Sequence, residues 1–125
     1  MTKEFYSLEE IKKYYDKKSN TYIFIEDDEI IDVVVFNFDL DVEANIDARC
    51  IDAMNINAVD IRAWDIDACN IAAENIKAKN ISYFAVCFAS DNIKCNSIKG
   101  RRKNAKHFVL DGKVEVENDR WWIFS

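Results

Sequence analysis

The sequence predicts an all-β solenoid, a chain that coils repeatedly around one apolar axis, preceded by one short helix. The strongest of three observations is that eight consecutive five-residue units, residues 45–84, each carry isoleucine at the same position. Alanine follows two residues later in seven of these units, until Tyr83 ends the series. Asn or Asp precedes the isoleucine in every unit but one, where Cys50 stands. The repeated isoleucines are Ile46, Ile51, Ile56, Ile61, Ile66, Ile71, Ile76 and Ile81.

A five-residue period fits neither a helix nor a flat strand. On an α-helix, five residues turn the chain by about 500°, so successive isoleucines would lie about 140° apart and form no stripe. On a flat strand, an odd spacing sends alternate isoleucines to opposite faces. A chain that turns a corner every five residues avoids both problems, because isoleucine and alanine then point inward on each short side. Asn and Asp suit the corners, since their side chains bond local backbone and tolerate left-handed conformations.

Residues 1–43 are predicted to form an N-terminal cap or a less regular first coil. Ser7 and Glu10 have the spacing of a capping box, and apolar residues at helical spacing continue to about Lys18. Two strands follow, at residues 22–25 and 30–36, with an acidic turn between them.

Residues 44–100 are predicted to form the solenoid itself. The five-residue period is compatible with three or with four units per coil. With four, residues twenty apart stack at the strand spacing of about 4.8 Å. The stacked pairs would then be Ile46 and Ile66, Ile66 and Val86, Trp64 and Phe84, Asn55 and Asn75, and Asp47 and Asp67. The phase of the isoleucines shifts by two after Val86, which predicts an insertion at residues 89–92.

Residues 101–125 are predicted to close the other end. Residues 107–110 and 113–116 have the pattern of a hairpin, because Asp111-Gly112 between them is a two-residue turn signal. The open end of a solenoid is a row of unpaired backbone donors and acceptors, so another segment has to cover it. Three aromatic residues are candidates for this contact, either within the chain or between two copies in a homodimer. They are Trp121, Trp122 and Phe124.

The composition indicates a single cytoplasmic domain. The chain has 125 residues, half of them apolar, which is enough for one modest core. No apolar run approaches the roughly 20 residues that span a bilayer, and the first residues lack the apolar segment of a secretory signal. Four cysteines without paired spacing and a single histidine, His107, favour packed, reduced thiols over a zinc site. We therefore expect no membrane partner, no metal and no cofactor.

The repeat resembles that of the pentapeptide-repeat proteins. That family has an Ala-Asp/Asn-Leu-x-x theme, whereas the units here read x-Asn-Ile-x-Ala, so that alanine follows the large apolar residue instead of preceding it. The match covers about a third of the chain. The resemblance implies a right-handed, four-sided β-helix, and it implies a binding function, because the family includes gyrase-binding DNA mimics. The Asn-Ile-x-Ala tracts also look like those of small proteins from Gram-positive bacteria and their phages.

The sequence contains no recognisable catalytic constellation. His107 has basic neighbours and no sequence-adjacent carboxylate, and no glycine-rich phosphate loop is present. The repeat generates carboxylates periodically whether or not they do chemistry. We therefore expect a binding protein that is not an enzyme.

The two halves of the repeat region carry opposite charge. Residues 26–74 contain fourteen acids and two bases, whereas residues 75–113 contain nine bases and two acids. The first coils should therefore be acidic and the last coils basic, and such a field steers partners. The candidate acidic binding face is Asp39, Asp41, Glu43, Asp47, Asp60, Asp65 and Asp67. The candidate basic patch is Lys99, Arg101, Arg102, Lys103 and Lys106.

Three functional hypotheses follow from these charges. In the first, which we favour, the acidic face mimics a nucleic-acid backbone and occupies the basic channel of a bacterial nucleic-acid-binding enzyme, such as a CRISPR nuclease or a topoisomerase. The protein would then be an inhibitor carried by a phage or mobile element. In the second, the basic patch docks on nucleic acid or an acidic partner, with Phe108 or Trp121 available to stack on a base. In the third, the solenoid is a protein-interaction scaffold whose charges are incidental.

Overall fold

The computed structural model describes residues 1–117, which form a parallel β-solenoid of about five turns. Identical positions of the repeat stack fifteen residues apart: Ile46 pairs with Ile61, and Ile51 pairs with Ile66. Asn55 pairs with Asn70 in the same register. Three five-residue units therefore complete one coil, and the solenoid has three sides.

The four-unit alternative, and the pairs that it predicted, are wrong. Asn55 pairs with Asn70 and not with Asn75. Trp64 stacks between residues of its neighbouring coils at positions 49 and 79, and not on Phe84. A five-residue period is compatible with any whole number of units per coil. The angle through which the backbone turns at each corner sets that number, and the repeat itself does not encode this angle.

The elements before the regular repeat are short. They are β1 (Thr2–Phe5), α1 (Leu8–Ile11), a 3₁₀-helix (Lys12–Tyr14), β2 (Tyr15–Asp16), β3 (Thr21–Ile23), β4 (Ile25–Glu26), β5 (Glu29–Ile30), β6 (Val33–Phe36) and β7 (Leu40–Asp41). The remaining elements are β8 (Asn45–Asp47), β9 (Cys50–Ala53), β10 (Asn55–Asn57), β11 (Asp60–Cys95), β12 (Ser97–Gly100), β13 (Lys106–Val109) and β14 (Val114–Val116). Extended backbone continues round the corners of β11 without interruption, so this one element makes more than two full coils.

Each side of the solenoid is a stack of parallel strands. The first side holds β3, β8, three segments of β11 that contain Ile61, Ile76 and Ile93, and β14. The second side holds β1, β6, β9, segments of β11 around Ile66 and Ile81, and β12. The third side holds β7, β10, segments of β11 around Ile71 and Cys87, and β13. Among the strands of residues 1–117, only β2–β3 and the β4–β5 hairpin pair antiparallel.

The core is the dry axis that the repeat predicted. The inward isoleucines are 1–2% exposed, and the alanines two residues later are at most 9% exposed. Full burial of one such aliphatic side chain contributes about 1.5–3 kcal/mol, so the stacked isoleucines are the main favourable term of the fold. The small alanine side chains leave room for the backbone to turn at each corner.

The first end of the axis is covered by the N-terminal segment, as a cap. Ile11 of α1 is fully buried, and the ring of Tyr14 of the 3₁₀-helix packs against the rings of Phe5 and Phe24. The helical region is shorter than predicted, because the chain turns at Tyr15 into β2 and pairs with β3. The expected capping box does not form: the Ser7 side chain makes no capping bond, and the Glu10 carboxylate accepts the N–H of Tyr6, at 2.7 Å, and not that of Ser7.

The register changes after Tyr83. Tyr83, Ala85, Cys87 and Ala89 are buried in alternation, which turns Val86 outward. The expectation that Val86 stacks over Ile66 is therefore wrong. The offset between coils grows from fifteen to seventeen residues, as the pairing of Asn80 with Ser97 shows. Two extra residues are thus accommodated in this coil, as the shifted isoleucines indicated.

The C-terminal strands do not form the predicted hairpin. β13 pairs in parallel with residues 86–89, and β14 pairs in parallel with residues 93–95. Asp111 and Gly112 therefore lie at one more corner of the solenoid, and β13 and β14 are successive sides of its last coil. Gly112 is required there, because a Cβ at this position would lie 1.9 Å from the Asp91 carbonyl oxygen. The predicted contacts of Trp121, Trp122 and Phe124 lie outside the described residues.

The position of Ile66 gives a direct test of the inward stack. Ile66 is 1% exposed, so Ile66→Asp buries a charge with no partner and should cost about 4 kcal/mol or more, enough to unfold the chain. The matched control is Met54→Asp, because Met54 is 58% exposed at a corner and should tolerate the same side chain. Circular dichroism melting of both variants checks this; a cooperatively melting Ile66→Asp protein would contradict the inward placement.

A second test concerns Glu26, which joins three N-terminal elements. Its carboxylate accepts bonds from Lys3 at 2.6 Å, Lys13 at 3.0 Å and the Tyr14 hydroxyl at 2.8 Å, and these bonds lower the pKa of Glu26 from 4.5 to about 2. Because the folded pKa is lowered, the stabilisation is complete above pH 4.5 and is lost as the pH falls towards about 2. The thermal midpoint should fall across this window.

The Glu26→Gln variant should lack that part of the acid dependence. Glu29→Gln is the matched control, because Glu29 lies in the same β4–β5 hairpin and makes no ion pair within residues 1–117. If the two variants have the same thermal midpoint profile between pH 4.5 and pH 2, Glu26 does not hold the cap.

Candidate polyanion-binding surface

The Asn and Asp residues before each isoleucine form hydrogen-bonded ladders, one along each edge of the solenoid. On the first side, Asn75 donates to Asp60 at 3.0 Å, and Asn92 donates to Asn75 at 3.4 Å. On the second side, Asn80 donates to Asp65 at 2.8 Å. Each side-chain amide has a donor for one neighbouring coil and an acceptor for the other, so a stacked column satisfies its own members. This pairing explains why the repeat uses Asn and Asp at this position.

The third side has a ladder of the same kind. Asn70 donates to Asn55 at 2.8 Å, and Asn55 donates to Asp39 at 2.8 Å. Cys50, the exception in the repeat, stands in the second ladder with its thiol 3.8 Å from an Asp65 carboxylate oxygen. Burial and the Asp65 charge raise the pKa of the Cys50 thiol. The thiol therefore stays protonated and can occupy an amide's position as a weak donor.

The seven acids predicted to form one binding face lie on all three sides. Asp39 and Asp41 lie with the third side, Glu43 lies at the following corner, Asp47 and Asp60 lie on the first side, and Asp65 and Asp67 lie on the second. Three of them accept ladder bonds: Asp39, Asp60 and Asp65. An Asp47 carboxylate oxygen lies 4.0 Å from an Arg62 guanidinium nitrogen, and the Asp67 carboxylate is bonded to the Arg101 guanidinium. Among residues 1–117, this leaves Asp41 and Glu43 without a side-chain hydrogen bond or ion pair.

The like-charge stack predicted for Asp47 and Asp67 occurs at a different pair. Asp52 pairs with Asp67 on the second side, because the coil has fifteen residues. Burial, followed by the Asp67 charge, raises the pKa of Asp52, while Arg101 opposes this shift. Arg101 thus offsets the repulsion between two stacked carboxylates.

Trp64 lies at the corner between the first and second sides, held by two cations. The Arg49 guanidinium lies 4.7 Å from the ring centroid and the Lys79 ammonium lies 4.6 Å from it. These contacts join three successive coils, since the Trp64 N–H donates to the Arg49 carbonyl and Lys79 follows fifteen residues later. Each such contact contributes about 0.5–1 kcal/mol at an exposed site and fixes the position of the charge.

Six bases from two adjacent coils follow the surface from the first side to the corner after the second side, and we call them the basic band. They are Lys77, Lys79, Lys94, Lys99, Arg102 and Lys103. Lys99 stacks over Ser82, and the Arg102 N–H donates to the Phe84 carbonyl, so the band continues from the first side across the second to the next corner. No Asp or Glu occurs in residues 75–90 or 92–110. Two acids lie beside Lys94 at the edge of the band: Glu115 pairs with it in register, and a Glu117 carboxylate oxygen lies 3.4 Å from its ammonium nitrogen.

A shallow cavity of about 450 Å³ opens on the first-side part of the band. Four cations and one acid line it together with Trp64: Arg62, Lys77, Lys79, Lys94 and Glu117. Stacked like charges destabilise a sheet when no counter-charge lies between them. Glu117 supplies a counter-charge to Lys94 at 3.4 Å, and an anion bound in this cavity would supply one to Lys77 and Lys79.

Exposed aromatic rings accompany the other part of the band. Phe84 is 44% exposed, and the Arg102 guanidinium lies 5.8 Å from its centroid. Phe108 is 42% exposed and packs on Phe88 at 5.0 Å on the third side, next to Lys106. Cations interleaved with exposed rings are the chemistry of surfaces that bind nucleic-acid strands.

The five bases of the predicted basic patch have two different roles. Arg101 is held within the fold, because its guanidinium bonds the Asp67 carboxylate at 2.5 Å and the Ala68 carbonyl oxygen at 3.0 Å. Lys99, Arg102, Lys103 and Lys106 make no side-chain hydrogen bond or ion pair within residues 1–117. They are the part of the patch that can bind a partner.

The bases of the first side were missed from the sequence. Lys77, Lys79 and Lys94 are separated by other residues, so no local run of charge marks them. Reading the sequence in rows of fifteen would have placed Lys77 and Lys79 beside Arg62 and Trp64. That reading requires the number of units per coil, which the pentad repeat does not supply.

The cysteines and the histidine have structural surroundings. All four thiols are free, as predicted: Cys87 and Cys95 are buried, and Cys50 and Cys69 are half-buried. Burial raises the pKa of Cys87 to about 12 and that of Cys95 to about 11. The His107 Nδ1 atom lies 2.7 Å from the hydroxyl of buried Tyr83. Within residues 1–117, no three His, Cys, Asp or Glu side chains converge as metal ligands would.

Comparison with known proteins found no matching family model, no matching curated protein and no matching solved structure. Among the described residues, no helix has the length and apolar character needed to cross a bilayer.

The different roles of two neighbouring arginines can be measured. Arg101→Ala removes the bonds to Asp67 and to the buried Ala68 carbonyl, so it should lower the free energy of unfolding by about 1.5–3 kcal/mol. Arg102→Ala is the matched control and should cost at most about 0.5–1 kcal/mol, because it loses only the contact with Phe84. Urea denaturation of both variants gives the comparison; equal costs would contradict the structural role of Arg101.

Proposed function

We propose that this protein is a non-enzymatic, cytoplasmic binding protein that holds single-stranded nucleic acid against the basic band. The observation that carries the proposal is the row of six bases that two coils bring together between Lys77 and Lys103, a segment whose only acid is Asp91. Backbone phosphates supply most of the affinity of such complexes, so a continuous row of cations is the principal requirement. The overall charge of −6 is compatible with this, because most acids lie in the earlier coils.

A single strand fits the geometry better than a duplex. The band turns a corner of a narrow solenoid between the first and second sides, and a duplex is stiff on that scale. A flexible strand can follow the corner and place bases on Phe84 or Phe108, whose rings are partly exposed. From Lys94 to Arg102 the backbone spans eight residues, or about 26 Å when extended, which is sufficient for a few nucleotides.

The acidic coils support a second candidate function, the mimicry of a nucleic-acid backbone in the channel of a CRISPR nuclease or a topoisomerase. Asp41, Glu43 and Glu74 line one open concavity of about 460 Å³ beside the third side. We rank this candidate second because five of the seven predicted acids are already engaged in ladders and ion pairs. If this second candidate is correct, we would expect the chain to be a member of the pentapeptide-repeat proteins and to be encoded by a phage or mobile element.

Binding of a fluorescent single-stranded oligonucleotide, followed by anisotropy at several salt concentrations, tests the first candidate. The wild-type protein should bind with an affinity that falls as salt rises. The variant Lys99→Gln with Arg102→Gln should reduce the slope of log affinity against log salt by about 2. Lys17→Gln with Lys18→Gln, which changes the net charge equally but lies in the turn between β2 and β3, should leave the slope unchanged.

Equal slopes for the two double variants would reject the basic band as the binding surface. Absence of oligonucleotide binding, combined with displacement of DNA from a CRISPR nuclease or a topoisomerase, would favour the acidic coils. The variant Asp41→Asn with Glu43→Gln should then weaken that displacement.

A further inference from the structure

The two ends of the solenoid axis differ in how well their apolar residues are covered. At the first end, Ile11, Phe5 and Phe24 are 0–3% exposed beneath the N-terminal cap. At the other end, the inward-facing Val116 is 41% exposed, although the residue that it stacks on, Cys95, is 2% exposed. The last coil therefore covers the coil before it and is not itself covered by any part of residues 1–117.

The same asymmetry holds around the whole last coil. His107 stacks on Cys87, and Cys87 is fully buried while His107 is exposed. Ile98, Val109 and Val114 face the axis and are half-buried. Apolar side chains on all three sides thus surround an uncovered end, and the outer backbone groups of β13 and β14 have no further strand to pair with among the described residues. Such an end is a site of aggregation unless something covers it.

We propose that the last coil is a docking surface for the chain's own residues 118–125. The described chain ends at this surface, where the Glu117 N–H donates to the Cys95 carbonyl at 2.7 Å. Eight residues follow, and they include Trp121-Trp122-Ile123-Phe124, the longest run of large apolar residues after the repeat. Their chemistry matches the surface, because indole rings bury large apolar areas and carry an N–H that can bond an open carbonyl.

The length of this segment is sufficient for the contact. Eight extended residues reach about 26–29 Å. One five-residue side is about 16 Å long, so a segment that starts at a corner can cross the whole triangular end. A second copy of the chain could also cover the end. In that arrangement, however, the aromatic residues 121–124 of both chains would have to fit into the same interface. The inference concerns the fold's end and does not depend on the basic band.

Tryptophan quenching in the full-length chain tests the proposal. Trp64 is the only tryptophan among the described residues, so a Trp64→Phe protein reports on Trp121 and Trp122 alone. Acrylamide should quench these two indoles severalfold more slowly in the native protein than in urea. The protection should be independent of protein concentration under conditions in which light scattering gives the mass of a monomer.

Two outcomes would overturn the proposal. Quenching as fast in the native protein as in urea would mean that the indoles are not covered. Protection that appears only as the mass doubles would mean that a second copy occupies the end.

A variant of the surface localises the contact. In the Trp64→Phe background, Val116→Asp places a carboxylate on the uncovered end and should raise the quenching rate towards the value in urea. Ile25→Asp is the matched control, because Ile25 is 47% exposed in the β4–β5 hairpin, and it should leave the rate unchanged. A Val116→Asp protein that melts cooperatively with unaltered protection would show that the indoles pack elsewhere.

Discussion

The stacking of each side chain on its equivalent fifteen residues later is the constraint on which the rest of the structure depends. In the interior, this stacking places one isoleucine above another along each side, as with Ile46 and Ile61. At the edges, it places a side-chain amide above another amide or above a carboxylate, as with Asn75 and Asp60. The inward contacts contribute apolar burial, and the edge contacts satisfy polar groups that would otherwise be partly desolvated. A change in the length of one coil disturbs both.

The same register decides which charges meet. Because the coil has fifteen residues, Arg62 lies beside Asp47, whereas Asp52 lies beside Asp67. Arg101 reaches from a later coil to Asp67 and offsets the second contact. The charge attraction of such exposed pairs contributes little by itself, and Arg101 differs because it also bonds the buried Ala68 carbonyl oxygen. Their importance is that they use up acids that could otherwise bind a partner, which leaves the later coils with an excess of unpaired bases.

Both ends of the solenoid present the same physical problem. A stack of parallel strands has no internal way to end, since each coil offers open backbone groups and apolar side chains to the next. At the beginning, Phe5 and Ile11 cover the axis, and Glu26 joins the capping elements to one another. Along the sides, function can be placed on outward positions with little cost to the core, because inward and outward residues alternate.

The sequence by itself determined the solenoid, its inward residues and the free thiols. A five-residue period of isoleucine and alanine is incompatible with a helix or a flat strand, and burial of the predicted residues follows from that alone. It also determined that acids precede bases along the axis. These are local properties, carried by spacing and residue type.

Only the tertiary structure decided how many units close a coil, and therefore which residues are neighbours across coils. The angle at each corner arises from backbone conformation and packing that the pentad does not encode. For that reason the acids of the predicted face lie on three different sides, and the sequence did not predict that cations surround Trp64. Residues such as Lys79 and Trp64 meet because the chain returns after fifteen residues, and a contact of that kind depends on the closure of the coil as a whole.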